Sequence, residues 1–426
     1  MVVILAAAMI LPSVQAVRGI RKVEKNALRA GGEKHGTAIG RWLPSASALV
    51  DLEQREDPYG PGHWFPTPPF VLMMLVPLTK LGYTGAGVVW AVLKIVGFVA
   101  AMGALIRELN REGFGVPVGV LAMAGLFSWR PIIGDLQHGN LNIFMMVWIA
   151  LTWTFYLRKN DALAGLFLGL AIVTKVTPGL LLLYFLYKRA WRVCGGAVLG
   201  LLLFVLVVPG LYLGFARNVE LLRSWFDMLV APFALHGYAT LEIENQSLYG
   251  VVLRLLSNAG VIPIEEMSSE QTLRVGIEGM ARPLGAWALI RPAISLGLLS
   301  VLALVCRARA ATRRDPRVLL EFAAVLLAML LMGERTWKHH ATTLPIVFLG
   351  VWWGLTCLHW SDRFRAVFVV GLVVQWLLLI GGTEGLMGDE VADLLLDGGT
   401  FCWGLVLCFA QVGVLLCASP RAAAGA

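Results

Sequence analysis

The sequence predicts an all-α polytopic membrane protein, and three observations carry that reading. Of 426 residues 58% are apolar and only 15% charged, too few charges to cover a soluble chain of this length. Apolar runs close to the roughly 20 residues that cross a bilayer recur along the chain. Lys and Arg sit in short clusters between alternate runs, as the positive-inside rule requires. The net charge of +8 is therefore assigned to cytoplasmic connectors, and nucleic acid is excluded as a partner.

The elements follow in order. Residues 1–16 are apolar and lack the basic start of a signal peptide, so they read as a first span. Residues 17–65 form a long external loop with acids at Glu24, Glu33, Asp51, Glu53, Glu56 and Asp57 and a similar number of bases, a solvated face. Residues 66–81 hold Pro66, Pro68, Pro69 and Pro77, which suits a short re-entrant or interfacial helix. A full span there would invert everything after it. Spans at 87–106, 116–129 and 143–157 come next.

Between Arg158-Lys159 and Lys188-Arg189 a single crossing would put one basic cluster on the wrong side. The consistent solution is a helical hairpin, 162–173 and 179–187, broken at Thr174-Lys175-Val176-Thr177-Pro178 because proline and its predecessor disfavour helix. Discontinuous helices of this sort line binding sites. Spans at 195–213, 285–306, 318–332, 341–358, 366–380 and 401–416 complete a bundle of about 11–13 membrane helices. Connectors 107–111, 158–159, 188–192, 307–317 and 363–365 are cytoplasmic. Connectors 130–142, 217–282, 333–340 and 381–400 are external, with 217–282 as a small cap on one membrane domain spanning 1–426. The six cysteines lie in or beside apolar runs with no paired or metal-type spacing, so neither disulfides nor a zinc site is expected.

This threading puts His35, His63, His138, His236, His339 and His340 on the external side. With them go the runs 134–142, 244–247 and 334–340. Lys175 sits at the hairpin turn, and Lys94 and Arg291 lie in the outer halves of spans. Ionisable groups at membrane depth cost about 3 kcal/mol each, so each should face a cavity or a partner. A cavity of cations and amides opening to the outer leaflet suits a lipid carrying phosphate on a sugar. The plainer readings are that Lys175 snorkels or pairs with Asp135, that His339-His340 caps a helix, and that Asn245-Gln246-Ser247 is a glycosylation sequon. No His/Asp/Glu group has zinc-site spacing, so the sequence calls for no cofactor and leaves a divalent metal as an open alternative.

The chain resembles glycosyltransferase family 87 of the GT-C superfamily. The likeness is carried by Asp57-Pro58-Tyr59-Gly60, Phe65-Pro66-Thr67-Pro68-Pro69-Phe70, Val76-Pro77-Leu78, Gly139-Asn140-Leu141-Asn142, Lys175-Val176-Thr177-Pro178, Asn245-Gln246-Ser247 and Trp337-Lys338-His339-His340. It implies a GT-C-type bundle and a polyprenyl-phosphate hexose donor, most simply mannose, with a lipid or glycan acceptor. It also implies a catalytic Asp about four residues before an aromatic at the start of the first outer loop's helix. Here the aromatic is Trp42 and the stretch Thr37-Ala38-Ile39-Gly40-Arg41 has no acid.

Asp51, Asp57 or Asp135 is left to take that role unless the chain is an inactive branch, and Asp51 and Asp135 are the expected catalytic carboxylates. The expected substrate-binding residues are Arg41, Gln137, His138, Asn140, Asn142, Lys175, Asn245, Arg291, Lys338, His339 and His340. Cations would stabilise charge growing on the phosphate leaving group, and amides would meet sugar hydroxyls. The expected activity is inverting hexosyl transfer at the outer face of a bacterial cytoplasmic membrane, among membrane lipids. The alternatives are a lipid or sugar-lipid flippase, since buried charge also marks transport pathways, and a catalytically inactive sugar-lipid binding homologue.

Overall fold

The structure, a computed structural model, describes residues 37–51, 56–60, 63, 65–266, 280–308 and 313–418. The expected first span at 1–16 and the early part of the first loop, including His35, lie outside the described residues.

The loop resolves into α1 (Ala38–Val50), whose first turn is capped by the Thr37 hydroxyl. Next comes α2 (Pro69–Thr79), whose 11 residues rise about 16 Å, half a bilayer. Three longer helices follow: α3 (Gly82–Arg111), α4 (Val118–His138) and α5 (Asn142–Leu157). Residues 131–138, expected as connector, are instead the last two turns of α4. The helix continues through Pro131 and buries Gly134, Asp135 and Leu136 against its neighbours. It stops at Gly139, whose φ of +68° favours glycine.

The hairpin is α6 (Asp161–Thr174) and α7 (Gly179–Tyr187). Their 14 and 9 residues rise about 21 and 14 Å, so neither crosses a bilayer alone. A long α8 (Trp191–Leu213) follows, with a π-helical stretch at Leu202–Val207. The 217–282 region holds more regular structure than a loop: α9 (Phe215–Trp225), α10 (Leu248–Asn258) and a small antiparallel sheet. Its strands are β1 (Ala239–Thr240), β2 (Ile264–Glu266) and β3 (Met280–Pro283), with β3 in the middle. The remaining helices are α11 (Trp287–Val305), α12 (Pro316–Leu331), α13 (Leu344–Cys357), α14 (Asp362–Ile380), α15 (Asp389–Asp397) and α16 (Thr400–Ala418).

Among the described residues five helices, α3, α8, α11, α14 and α16, are long and apolar enough to cross a membrane. Every residue of α12 from Arg317 to Leu331 is buried, as is nearly all of α13. These two form the centre, packed by α4 and α16. By contrast α11 and α14 turn Leu289, Leu296, Val367 and Val370 outward, an apolar surface of the kind a bilayer covers.

The basic connectors gather at one end. Arg158 pairs with Glu108 at 2.8 Å, Arg313 grips Asp161 through two bonds of 2.6 and 2.9 Å, and Arg314 reaches Glu112 at 2.6 Å. Lys188 meets Glu321 at 2.8 Å and the carbonyl of Cys306 at 2.5 Å. The polar segments expected on the other face contact one another at the opposite helix ends.

The hairpin is held by backbone contact. A Cβ on Gly165 would lie 2.2 Å from the Val193 carbonyl oxygen, and one on Gly196 would lie 2.6 Å from that of Ala162. Gly169 and Gly200 meet in the same way one turn further on. This is the small-x-x-x-small packing that lets membrane helices touch. Gly196→Ala should therefore destabilise the folded chain by about 1–3 kcal/mol. The adjacent Gly195→Ala, with nothing within 4 Å of its Cβ, should be neutral. Thermal unfolding of both variants in detergent checks the contrast.

Candidate active site

The site is built on a buried ion pair. Lys94 of α3 and Asp135 of α4 are both fully buried, with Nζ 2.7 Å from Oδ2 and 2.9 Å from the Asp135 carbonyl oxygen. Asp135 Oδ1 accepts from the Asn142 side-chain amide at 2.9 Å and its backbone amide at 3.3 Å. With Nδ2 thus committed, Asn142 presents Oδ1 to the Lys175 ammonium at 2.8 Å. Thr342 secures the same residue from α13's side by donating to the Asn142 carbonyl at 2.7 Å. One chain of contacts runs Lys94, Asp135, Asn142, Lys175.

The Gly139 turn makes this approach possible. Its carbonyl accepts from the Trp90 indole at 2.9 Å, and a Cβ there would press on Ile39 of α1. The next residue, Asn140, has its amide nitrogen 3.3 Å from His339 Nε2, while the His339 ring stacks on His138 at 4.2 Å. His340 is anchored through Nδ1, 3.2 Å from the Trp337 amide and 3.1 Å from the Arg335 carbonyl. Either tautomer leaves Nε2 as the atom for new contacts.

Asn140, Asn142, Lys175 and His340 line a cavity of about 480 Å³. Its cations are Arg41, Lys175 and Arg335, and its neutral polar groups include Asn140, Asn142 and His340. Trp42, Trp225 and Trp337 supply aromatic wall. Among the described residues, one carboxylate lines it: Glu242, whose Oε2 accepts from Arg335 at 2.6 Å. The Arg335 guanidinium also lies over the Trp337 ring, 5.2 Å from its centroid. Among the described residues no group of three His, Cys, Asp or Glu side chains is arranged to hold a metal ion.

Of the expected site residues, Arg41, Asn140, Asn142, Lys175 and His340 line this cavity. The others lie elsewhere. Asp135 is sealed behind Asn142, with both oxygens engaged, so it has no approach to a substrate hydroxyl. Asp51 is exposed at the end of α1, outside the cavity lining. His138 and His339 support the wall from behind, and Gln137 is half-buried on α4 without reaching the cavity.

Asn245, expected to meet sugar, is buried and saturated. It donates to Thr240 Oγ1 and the Glu334 carbonyl, and accepts from the amides of Ser247 and Thr336. It fastens loops together, and no glycan fits at that depth. Lys338 points away, to the Gly382 carbonyl. Arg291 pairs with Glu334 and lines a different cavity of about 540 Å³ with His236 and Arg282.

Sequence reasoning gave no binding or catalytic role to Glu242, Arg335, Trp337, Trp42 and Trp225. A signal for two of them was present: Arg335 and Trp337 belong to the same polar run, 334–340, that supplies His340 to the cavity. Nothing in the local sequence marks Glu242.

Burial lowers the pKa of His339 well below its ordinary 6.5, aided by repulsion from His340 and His138. His340 is depressed likewise, by burial and then by Lys175. Both are neutral at pH 7. On acidification the unfolded chain takes up protons that the folded chain refuses, so stability falls as pH drops through about 6.5. The melting temperature in detergent should decline between pH 7 and pH 5, and His339→Gln should flatten that decline.

Residues 65–333 match the family model of glycosyltransferase family 87. A polyprenol-phosphate-mannose-dependent alpha-(1-2)-phosphatidylinositol mannoside mannosyltransferase from Mycobacterium tuberculosis is 30% identical over 137 residues, 29% of this chain. The match spans about a third of that relative's length, 32%. The crystal structure of apo ArnT from Cupriavidus metallidurans covers 97% of this chain and 77% of its own, at 16% identity and a TM-score of 0.43. With well over half of its length matched, the chain belongs to glycosyltransferase family 87.

Proposed function

We propose that this chain is a membrane hexosyltransferase that moves a hexose, mannose in the simplest case, from a polyprenyl-phosphate donor to a lipid or glycan acceptor. The observation that carries the proposal is the convergence of Arg41, Lys175 and Arg335 with Asn140, Asn142 and His340 on one cavity. Its volume of about 480 Å³ suits a small-molecule site. The donor named for the mycobacterial relative has the chemistry these groups recognise.

Transfer from a polyprenyl phosphate leaves a phosphate monoester, so negative charge grows on the departing oxygen. Preorganised cations stabilise that charge most effectively in a site shielded from water. Lys175 is the natural group for it, because Asn142 and the ion pair behind it hold the ammonium in place before substrate arrives. The amide of Asn140 and His340 Nε2 offer directional contacts to sugar hydroxyls. Asp135 then acts as a positioning residue.

The gathering of basic connectors at the far end of the bundle supports placing the cavity on the external face of a bacterial cytoplasmic membrane. No metal is invoked, and addition of a chelator is a simple control.

Proteoliposomes with radiolabelled polyprenyl-phosphate mannose and a native lipid extract test the reading. Wild-type protein should form a new labelled product, and Lys175→Ala should reduce the rate by about 10²–10³-fold. Donor movement across the bilayer without transfer would favour a flippase, and donor binding without either would favour an inactive homologue.

A further inference from the structure

A transfer of this kind needs a group to take the acceptor's proton, and the carboxylates expected to do so are out of reach. Asp51 is exposed outside the cavity lining. Asp135 is walled off by Lys94 and Asn142. Asp57 has both oxygens engaged, Oδ1 by the Tyr59 amide at 3.0 Å and Oδ2 by the Ser224 hydroxyl. Helix α1 contributes Arg41 and Trp42 to the cavity and no acid. That leaves Glu242 as the carboxylate lining the cavity among the described residues.

Glu242 is also fixed as a general base must be. Its carbonyl accepts from Arg254 Nη1 at 2.8 Å and from the Asn245 amide at 2.9 Å, which pins the backbone. Its Oε2 is held by Arg335 at 2.6 Å, while among the described residues Oε1 receives no hydrogen bond. The side chain is 16% exposed, enough to meet a substrate and too little to wander. Arg41 from α1, Lys175 from the hairpin turn, and Arg335 and His340 from the 334–340 segment face the same space.

We propose that Glu242 is the general base of the transfer, with Arg335 as the residue that positions it. The proposal rests on the glycosyl-transfer reading above. The acceptor O–H gives its proton to Oε1 while its oxygen forms a bond to the anomeric carbon. The bond from that carbon to the phosphate oxygen breaks in the same displacement, and its electron pair leaves with the polyprenyl phosphate. Glu242 then returns the proton to solvent. One displacement assisted by one carboxylate inverts the anomeric centre.

The test uses the full chain in proteoliposomes with labelled polyprenyl-phosphate mannose and native lipid extract as acceptor. Glu242→Gln, isosteric and able to keep a bond to Arg335, should lower kcat by about 10²–10⁴-fold with donor KM changed less than about threefold. The acid-side fall in the wild-type pH–rate profile should disappear from its residual activity. Glu242→Asp should recover part of kcat, and Arg335→Lys should lower kcat while keeping the acid-side limb.

Glu242→Gln with near wild-type kcat and an unchanged melting temperature overturns the assignment. So does a loss confined to donor KM, or an acid limb that vanishes in His340→Gln instead. Wild-type protein that forms no labelled product sinks the glycosyl-transfer reading itself, a result distinct from any of these.

Discussion

The Lys94–Asp135 ion pair is the contact from which the geometry of the cavity follows. Burying two charges costs several kcal/mol each, and mutual attraction alone seldom offsets it. Here the remaining hydrogen-bonding capacity is used: Lys94 also donates to the Asp135 carbonyl, and Asp135 also accepts twice from Asn142. The pair therefore ties α3 to α4 and fixes the rotamer of Asn142, which in turn presents its oxygen to Lys175. Four residues from four segments behave as one strut.

A second set of buried polar groups acts on the far wall. Asn245 bonds to Thr240, Glu334, Ser247 and Thr336. Gln246 completes the junction, its amide donating to the Thr336 carbonyl at 2.7 Å and its side chain to Leu396 at 2.7 Å. These contacts pull 240–247, 334–336 and the end of α15 into one layer. Arg335 and Glu242 project from that layer into the cavity. The Asn-Gln-Ser motif thus shapes the site from behind.

Much of the fold was legible because membrane constraints are blunt. Length of apolar run, proline breaks and the side of each Lys or Arg are local quantities, and they located α3, α5, the 175–178 break and the central helices. The end of α4 was misread because Gly134 to His138 look like loop when their burial against Lys94 is unknown. At the site, residues in polar runs were legible as a group while their directions were not. Lys338 and Arg335 are equivalent cations in the sequence. They diverge because Lys338, opening the short 3-10 turn Lys338–His340, reaches Gly382 while Arg335, in the bend before it, reaches Glu242. Glu242 stayed hidden since an acid in a loop usually meets water, and its importance depends on a cavity assembled from α1, the hairpin and the 334–340 segment.

The glycine contact between α6 and α8 determines how the lysine at the hairpin turn responds to its surroundings. With backbone resting on backbone at Gly165 and Gly196, no layer of side chains between the helices can compress or repack. A change in bilayer thickness or lateral pressure would tilt the two helices as one rigid lever. The ammonium at its tip would then change depth together with that lever, so membrane composition has a mechanical route to the lysine charge that lines the cavity.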